Sequence, residues 1–420
     1  MNNIEIKSLQ IPNKKQQGEP IIRRAEEKDY SDIFRIWMQP HIIQWMSFAQ
    51  MNEEDFRPLY EQFSQKTQIY VMEVDGKIVG VRRLAFGEKG SEKEHTVGFY
   101  SMGIDASCTR KGYASRFYEE FTRIAKEHQP QITRIEFTQS YSNKGAFELS
   151  DKLGYKKEAS VPGWLYRTQN GGTYNLPERY VYKLLDPAIE MKNPRMEFKT
   201  KLPSIDQTSN EIEIRQEGNL FFCYDQQGKL LGKCEFIPGP RVVSHLLFWS
   251  VSIEKDADLD LMTKCLRELI IKAHQQGFKK IELTSADTQL LQPLQHLGFH
   301  YRGTLQASIK KEDGYYNEVC ADFGFYGIEE AKQMLPAFPH KGAHLNQALD
   351  ECKEAIANSL KQGEIDMFMA IYLENLAFQI VEQKLIDYPL YTEQSAPWNG
   401  SMQLDLLPQP IHLALNKLIQ

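Results

Sequence analysis

The stretch Ile104-Asp105-Ala106-Ser107-Cys108-Thr109-Arg110-Lys111-Gly112-Tyr113-Ala114 decides the fold prediction for this chain. It has the pattern of a strand end, a basic turn and the start of an amphipathic helix. Backbone N–H groups at a helix start have no partner inside the helix, so they attract anions. Gly112 permits a close approach, and Arg110 and Lys111 add positive charge. The stretch predicts a phosphate site, although so short a pattern also fits an ordinary solvated turn.

The sequence after this turn continues in a recognisable order. Ile132–Thr138 alternates like a strand, Asn143–Leu149 opens a second helix, and Leu153-Gly154-Tyr155 ends it. Strand, phosphate turn, helix, strand and short helix in this order resemble the GCN5-related N-acetyltransferase (GNAT) superfamily. The family's phosphate signature matches Thr109–Ala114, with threonine where arginine or glutamine is usual.

Further matches extend this resemblance to about residues 20–185. Ile22–Asp29 is similar to the first strand and turn of the family. Trp37, Trp45-Met46 and Val97-Gly98-Phe99 resemble the ribosomal-protein N-terminal acetyltransferase branch. The resemblance implies an α/β fold, with a mixed, mostly antiparallel twisted sheet flanked by helices, and acetyl-CoA as the acetyl donor.

The chain also repeats itself weakly. Hairpin patterns occur at Ile69–Gly80 and at Leu220–Gly232, and Arg134–Thr138 and Leu153–Tyr155 have later counterparts in the same order. We therefore predict two tandem GNAT-like domains. The predicted boundaries are a disordered leader at 1–19, an acetyl-CoA-binding catalytic domain at 20–186, a linker at 187–210, a degenerate GNAT-like domain at 211–335 and a helical C-terminal region at 336–420.

The second half lacks the chemistry of the first. Glu254, Asp256, Asp258 and Asp260 precede or open its helix, where a pyrophosphate would meet like charge. Acidic residues are, however, good caps for a helix start. The apolar helical faces after residue 336 fit either a core or a subunit interface, so a homo-oligomer stays open.

The resemblance also implies a set of cofactor contacts. In the family, the pantetheine arm lies between the fourth and fifth strands, here His95–Ile104 and Ile132–Gln139. The predicted cofactor-binding residues are Met102, Gly103, Ile104, Thr109, Arg110, Lys111, Gly112, Tyr113, Ala114, Ser115 and Asn143.

The catalytic residues are less well defined. Many relatives carry a glutamate base on the fourth strand, where this chain has Thr96 or Gly98, and a tyrosine acid where it has Ser150. Ser150 could steady the leaving thiolate. As base we rank His95 above Glu136 and Tyr100, because its ordinary pKa suits the task. Each also has a structural alternative: His95 could mark a strand edge, Glu136 could be a solvated strand residue, and Tyr100 could belong to the core.

The acceptor is the least defined partner. Trp164, Tyr166 and Tyr174, on a predicted long connection after the second helix, are candidate substrate-binding residues. Relatives acetylate protein N-termini, polyamines, aminoglycosides or amino acids. We therefore expect an amine as the acceptor, but the sequence does not define which amine. A non-catalytic acetyl-CoA-binding or scaffold protein is the alternative.

Composition agrees with a cytoplasmic enzyme. The net charge of −6 argues against nucleic acid, and no apolar run is long enough for a membrane span. Six cysteines without paired spacing favour free thiols and no metal. The sequence gives no address, and delivery into another cell stays open.

Overall fold

The computed structural model describes residues 18–46, 48–128, 131–203, 211–239, 246–342, 344–386 and 404–420, without the side chains of 128, 161–169, 175 and 176. The predicted leader lies almost wholly outside the described residues. The protein has the predicted mixed α/β fold with sheet strands flanked by helices.

The described residues of the first half form seven strands and five α-helices. The strands are β1 (Ile21–Arg24), β2 (Gln68–Val74), β3 (Lys77–Phe86), β4 (Thr96–Ile104), β5 (Arg134–Ser140), β6 (Lys156–Gln169) and β7 (Gly172–Leu184). The helices are α1 (Tyr30–Trp37), α2 (Pro40–Ile43), α3 (Glu53–Lys66), α4 (Tyr113–His128) and α5 (Lys144–Lys152).

The rest of the chain continues this alternation and ends in helices. The strands are β8 (Ile212–Glu217), β9 (Leu220–Asp225), β10 (Leu230–Pro238), β11 (Leu246–Ile253), β12 (Lys280–Ser285), β13 (His300–Lys311) and β14 (Gly314–Gly324). The helices are α6 (Leu259–Gln275), α7 (Leu291–His296), α8 (Ile328–Met334), α9 (Pro339–Gly342), α10 (Leu345–Gln362), α11 (Met367–Leu385) and α12 (Gln409–Ile419).

The chain divides into two compact units. The first unit is 1–86 with 98–129, and the second is 87–97 with 130–420. In the first unit the strand order is β1-β2-β3-β4, and β1, β2 and β3 pair antiparallel. Its apolar core joins α1 and α3 to β2 and β3, and Trp37 and Phe56 in that core are fully buried.

The second unit has the strand order β5-β7-β6-β13-β14-β12-β11-β10-β9-β8. β6 and β13 meet antiparallel, with Gly303 opposite Ala159. A side chain on Gly303 would come within 2.0 Å of the Glu158 carbonyl oxygen, so a glycine is required at this approach. Strands from both halves of the sequence therefore share one sheet within this unit.

The predicted connection at 162–174 is wrong, because these residues form the turn of the β6–β7 hairpin and the strand segments next to it. Asn170 and Gly171 both have positive φ, at 51° and 77°, as a tight two-residue turn requires. This Asn-Gly pair was the signal in the sequence. Alternation of large and polar residues on either side of it favours strands over a loop.

The C-terminal helices belong to the core of the second unit. α11 is buried along nearly its whole length, and its neighbours α10 and α8 pack in the same cluster. Gly363 ends α10 in the left-handed conformation, at φ 73°. No described helix combines the length and apolar character that a bilayer crossing needs.

Candidate active site

The basic turn before α4 has the geometry of an anion-binding loop. Arg110 and Gly112 both adopt positive φ, at 60° and 80°. Among the described residues, no group accepts a hydrogen bond from the backbone N–H groups of 110–115. A Cβ on Gly112 would meet nothing within 4 Å, so the loop is open at this point. Free donors at an exposed helix start fit the pyrophosphate of acetyl-CoA.

Asp105 anchors the start of this loop. Its carboxylate accepts hydrogen bonds from the Ser107 backbone N–H (3.0 Å) and hydroxyl (2.7 Å), and it pairs with Arg35. Burial alone would raise the pKa of Asp105, but the hydrogen bonds from Ser107 and Arg35 hold it well below its usual value. Gln39 completes the anchor, since its amide donates to Asp105 (3.1 Å) and accepts from the Ala106 N–H (2.9 Å).

Strand β4 departs from extended backbone geometry next to the predicted cofactor contacts. Ser101 has φ 47°, and its carbonyl accepts a hydrogen bond from the Trp37 indole N–H at 3.0 Å. Met102 and Gly103 follow directly, and a Cβ on Gly103 would lie 3.2 Å from the Trp37 ring. The indole of Trp37 therefore fixes the β4 backbone at Ser101.

Tyr100 explains the absence of a glutamate at position 98. A Cβ on Gly98 would come within 2.3 Å of the Tyr100 ring, so that ring occupies the space of any side chain there. The other candidate position, Thr96, is buried and donates its hydroxyl to the Lys93 carbonyl. Neither position can hold the carboxylate that many relatives use.

Ser150 lies in a buried network. Its hydroxyl has Gln139 Oε1 at 3.0 Å and the Phe147 carbonyl at 2.9 Å as acceptors, and Arg179 donates to it at 2.9 Å. Arg179 also stacks on Phe147, with the guanidinium 3.3 Å from the ring centroid. The single hydroxyl hydrogen of Ser150 is thus directed to protein acceptors.

Asn143 caps α5, and its side-chain oxygen accepts from the Ala146 N–H at 3.2 Å. A bond from Asn143 to the cofactor stays a prediction.

Glu136 belongs to an ion-pair group on β5 and β6. Arg134 is fully buried and binds Glu136 (3.0 Å) and Glu158. Burial raises the pKa of Glu136, but Arg134 outweighs it and the net shift is downward. For Glu158 burial dominates, and its pKa is raised. Glu136 is accordingly a paired carboxylate and a weak base.

His95 is 1% exposed and lies against the second half of the chain. Its Nε2 is 2.8 Å from the Ala307 carbonyl oxygen, which can only accept, so Nε2 carries the hydrogen. Nδ1 is buried and has no hydrogen-bond partner among the described residues. Burial lowers the pKa of His95, which keeps the ring neutral at pH 7.

Of the three predicted acceptor-binding side chains, the structure describes Tyr174. The side chains of Trp164 and Tyr166 lie outside the described part of the structure. Tyr174 packs on Phe338, with ring centroids 5.1 Å apart, at the margin of the C-terminal core.

The start of α6 differs from the start of α4 as the sequence predicts. Asp258 caps α6, and its carboxylate accepts from the N–H groups of Asp260 (2.9 Å) and Leu261 (3.1 Å). The cap occupies donors that an anion would need. In the described residues, no group of three or more metal-ligating side chains is gathered, and the six cysteines are free.

Sequence reasoning missed several residues of this region. Gln139 and Arg179 both form hydrogen bonds with the Ser150 hydroxyl. Trp37 was noted only as part of a resemblance, but its indole donates to the Ser101 carbonyl in β4. A buried arginine on a strand gives no periodic signal. The contacts join residues far apart in the chain, so spacing could not reveal them.

Comparison with known proteins agrees with this geometry. Residues 30–155 match the model of the Acetyltransferase (GNAT) family. An L-amino acid N-acetyltransferase of Escherichia coli K12 is 25% identical over 156 residues, which are 37% of this chain and 92% of the relative.

Solved structures are similar over the same share of the chain. An N-acetyltransferase from Staphylococcus aureus Mu50 is 19% identical, with a TM-score of 0.34 over 40% of this chain and 99% of its own. An acetyltransferase from Salmonella typhimurium, solved with its cofactor acetyl-CoA, is 15% identical, with a TM-score of 0.34 over 41% and 97%.

The family match covers residues 30–155 and includes the phosphate loop. The chain carries a GNAT-superfamily acetyltransferase domain. It is an acyltransferase of the N-acetyltransferase type, and acetyl-CoA fits as its acetyl donor.

Proposed function

We propose that the first half of the chain transfers an acetyl group from acetyl-CoA to an amine by direct attack of the amine on the thioester. The acceptor class is a small-molecule amine or a protein N-terminus, and the first half is closest to the ribosomal-protein N-terminal acetyltransferase branch. The observation that carries this proposal is the open loop before α4, with its free N–H groups at 110–115. Release of free thiol from acetyl-CoA on addition of an amine panel tests it.

The chain's own residues divide the task. Residues 110–115 bind the phosphates through backbone N–H groups, with Arg110 and Lys111 adding charge, whereas the Thr109 N–H and hydroxyl both donate to the Ala106 carbonyl. The N–H groups of Met102–Ile104 stabilise the developing oxyanion. They follow Ser101, whose carbonyl accepts a hydrogen bond from the Trp37 indole. A bound thioester supplies an acyl carbon that an uncharged amine can attack. Most of the acceleration then comes from positioning the two substrates.

His95 is the preferred proton acceptor among the four candidates. Its Nδ1 is the nitrogen that can take a proton, because Nε2 already donates to Ala307. Glu136 is neutralised by Arg134, and Ser150 is a hydroxyl held by Arg179. Tyr100 is a phenol, which suits an acid better than a base.

We expect His95→Gln to lower kcat about 10- to 100-fold, because general base catalysis contributes on this order. Glutamine keeps a donor for the Ala307 carbonyl, so the fold is preserved. Only neutral imidazole accepts a proton, and the pKa of His95 is lowered, so the acidic limb of the wild-type pH–rate profile should lie below pH 6.5 and vanish in the variant.

The matched control is His274→Gln, since the pKa of His274 on α6 is also lowered by burial but His274 belongs to the second half. An acidic limb that is identical in His95→Gln and the wild type would remove His95 as base.

We propose a tandem arrangement with a degenerate second half. β8-β9-β10-β11 repeats the order β1-β2-β3-β4, and β12-β14-β13 repeats β5-β7-β6. The described second half has a tight turn at Gly218 between β8 and β9, where the first half inserts α1–α3. The domain boundaries at 20–186, 211–335 and 336–420 remain part of this proposal, with 187–203 a packed segment that buries Met196 and Phe198.

One acetyl-CoA per chain is the expected stoichiometry. The α6 start presents Asp258 and Asp260 where the α4 start presents free N–H groups, so it should repel a pyrophosphate. Calorimetric titration of the full chain should give one site. Two equivalent sites would contradict the proposal that the second half is degenerate.

A non-catalytic acetyl-CoA-binding or scaffold protein is the second candidate. It is favoured by the closed surroundings of the candidate catalytic groups, with Ser150 fully buried and Glu136 ion-paired. Acetyl-CoA binding without thiol release for any amine would support it.

We also propose that the protein works in the cytoplasm and binds no nucleic acid, given its net charge of −6. A homo-oligomer would have to use exposed groups such as Leu406 and Leu413, because α11 is already covered within the chain.

A further inference from the structure

Arg83 on β3 is a half-buried cation whose charge the chain does not balance. Its guanidinium stacks on the Phe63 ring, 3.6 Å from the centroid. Nε is buried without a hydrogen-bond partner, and no described carboxylate pairs with Arg83. A charge in such a place costs free energy unless a partner compensates it.

Two other buried arginines of the chain are paired with carboxylates. Arg134 binds Glu136 and Glu158, and Arg302 binds Asp322 at 2.8 Å. Arg82, the neighbour of Arg83, points to the opposite side of the strand, where its guanidinium lies over Phe99 and Tyr118 and donates to the Met102 sulfur. Arg83 differs from all three because no described group accepts a hydrogen bond from its guanidinium.

The burial of Arg83 does not remove its charge. Desolvation lowers the pKa of Arg83 to about 10, so the group is still protonated at neutral pH. A protonated guanidinium presents a planar fork of donors that matches a carboxylate.

Arg83 also lies beside the proposed reaction centre, within the first unit. Tyr100, the titratable group that acts on the pKa of Arg83, directly precedes Ser101, which has positive φ. Phe63, on which Arg83 stacks, contacts Trp37 with ring centroids 6.2 Å apart. Trp37 in turn donates to the Ser101 carbonyl. The rings of Phe63 and Trp37 therefore connect the Arg83 guanidinium to the Ser101 backbone, which directly precedes Met102–Ile104.

We propose that Arg83 binds a carboxylate of the acceptor, so that the preferred acceptors are small molecules carrying a carboxylate near the amine, as free amino acids do. This inference rests on the proposed function, because it names the acceptor of the same site. Polycationic amines are disfavoured, since they would place like charge against Arg83.

The test compares matched ligand pairs that differ only in the carboxylate. L-methionine with L-methioninamide, and L-phenylalanine with L-phenylalaninamide, are titrated into the full chain saturated with CoA. We expect each acid to bind at least about 10-fold more tightly than its amide, because a charge-assisted bidentate pair is among the strong hydrogen bonds. In Arg83→Gln the preference should fall to about threefold or less, and Arg83→Lys should restore part of it.

Arg57→Gln is the matched control. Arg57 also stacks on an aromatic ring, Tyr30, at 3.6 Å, but it is ion-paired with Glu27. Its replacement should leave the preference for the acid unchanged.

Equal binding of acid and amide by the wild type would overturn the inference. So would a preference that survives in Arg83→Gln, or no binding of either acid below about 10 mM. Thiol release from acetyl-CoA is measured separately: acids that bind through Arg83 without being acetylated would support the inference and contradict the proposed function.

Discussion

Gly112→Asp is expected to abolish acetyl-CoA binding while the protein stays folded. The new carboxylate would face the phosphates that the N–H groups of 110–115 are proposed to bind, and two like charges about 4 Å apart repel by roughly 4 kcal/mol at an effective dielectric constant of 20. That corresponds to about a thousandfold loss of affinity. Isothermal titration calorimetry of wild type and variant measures it.

The substitution itself is tolerable for the fold. Gly112 has φ 80°, a conformation that aspartate and asparagine adopt more readily than other side chains, and a Cβ there meets nothing within 4 Å. Gly112→Asn is therefore the matched control, since it carries the same backbone cost without the charge. A dissociation constant of Gly112→Asp within about threefold of the wild type, or an equal loss in Gly112→Asn, would show that charge repulsion at this loop is not the cause.

Leu376→Asp is expected to have the largest effect on stability. Leu376 is 1% exposed in α11, inside the core that the C-terminal helices share with the second half. Removing a buried leucine costs about 2–5 kcal/mol, and burying a carboxylate adds several more. The total approaches the whole free energy of unfolding of a typical domain. Soluble yield and the urea midpoint followed by circular dichroism measure the loss.

The same substitution on α12 provides the control. Leu413 is 55% exposed, so Leu413→Asp should change the free energy of unfolding by no more than about 0.5 kcal/mol. If Leu376→Asp unfolded at the same urea concentration as Leu413→Asp, α11 would be an appendage and not part of the core.

Several features of the fold could be predicted because their causes are local. The start of α4 is encoded by Gly112 and the apolar spacing after it, and the β2–β3 hairpin by Asp75-Gly76, both with positive φ. Gly363 ends α10 in the same way. The β6–β7 hairpin was missed although Asn170-Gly171 encodes it, because the aromatic residues around it suggested a specificity loop.

The candidate site likewise contains some features that are encoded locally and others that depend on the fold. The phosphate loop and the acidic start of α6 follow from residues that are adjacent in sequence, so both were predicted with their chemistry. The roles of His95 and Ser150 could not be predicted, because Ala307 and Arg179 are remote in the chain.

By itself, the sequence predicted most of the order of strands and helices, the open basic turn at Thr109–Ala114 and the capped acidic helix start in the second half. Only the tertiary structure decided that Trp37 holds the Ser101 carbonyl, that His95 presents Nδ1, and that Arg83 has a ring and no carboxylate. The physical reason is the range of the interactions. Helix starts and tight turns depend on the conformations of a few consecutive residues, whereas a buried charge or hydroxyl is defined by partners that only folding brings to it.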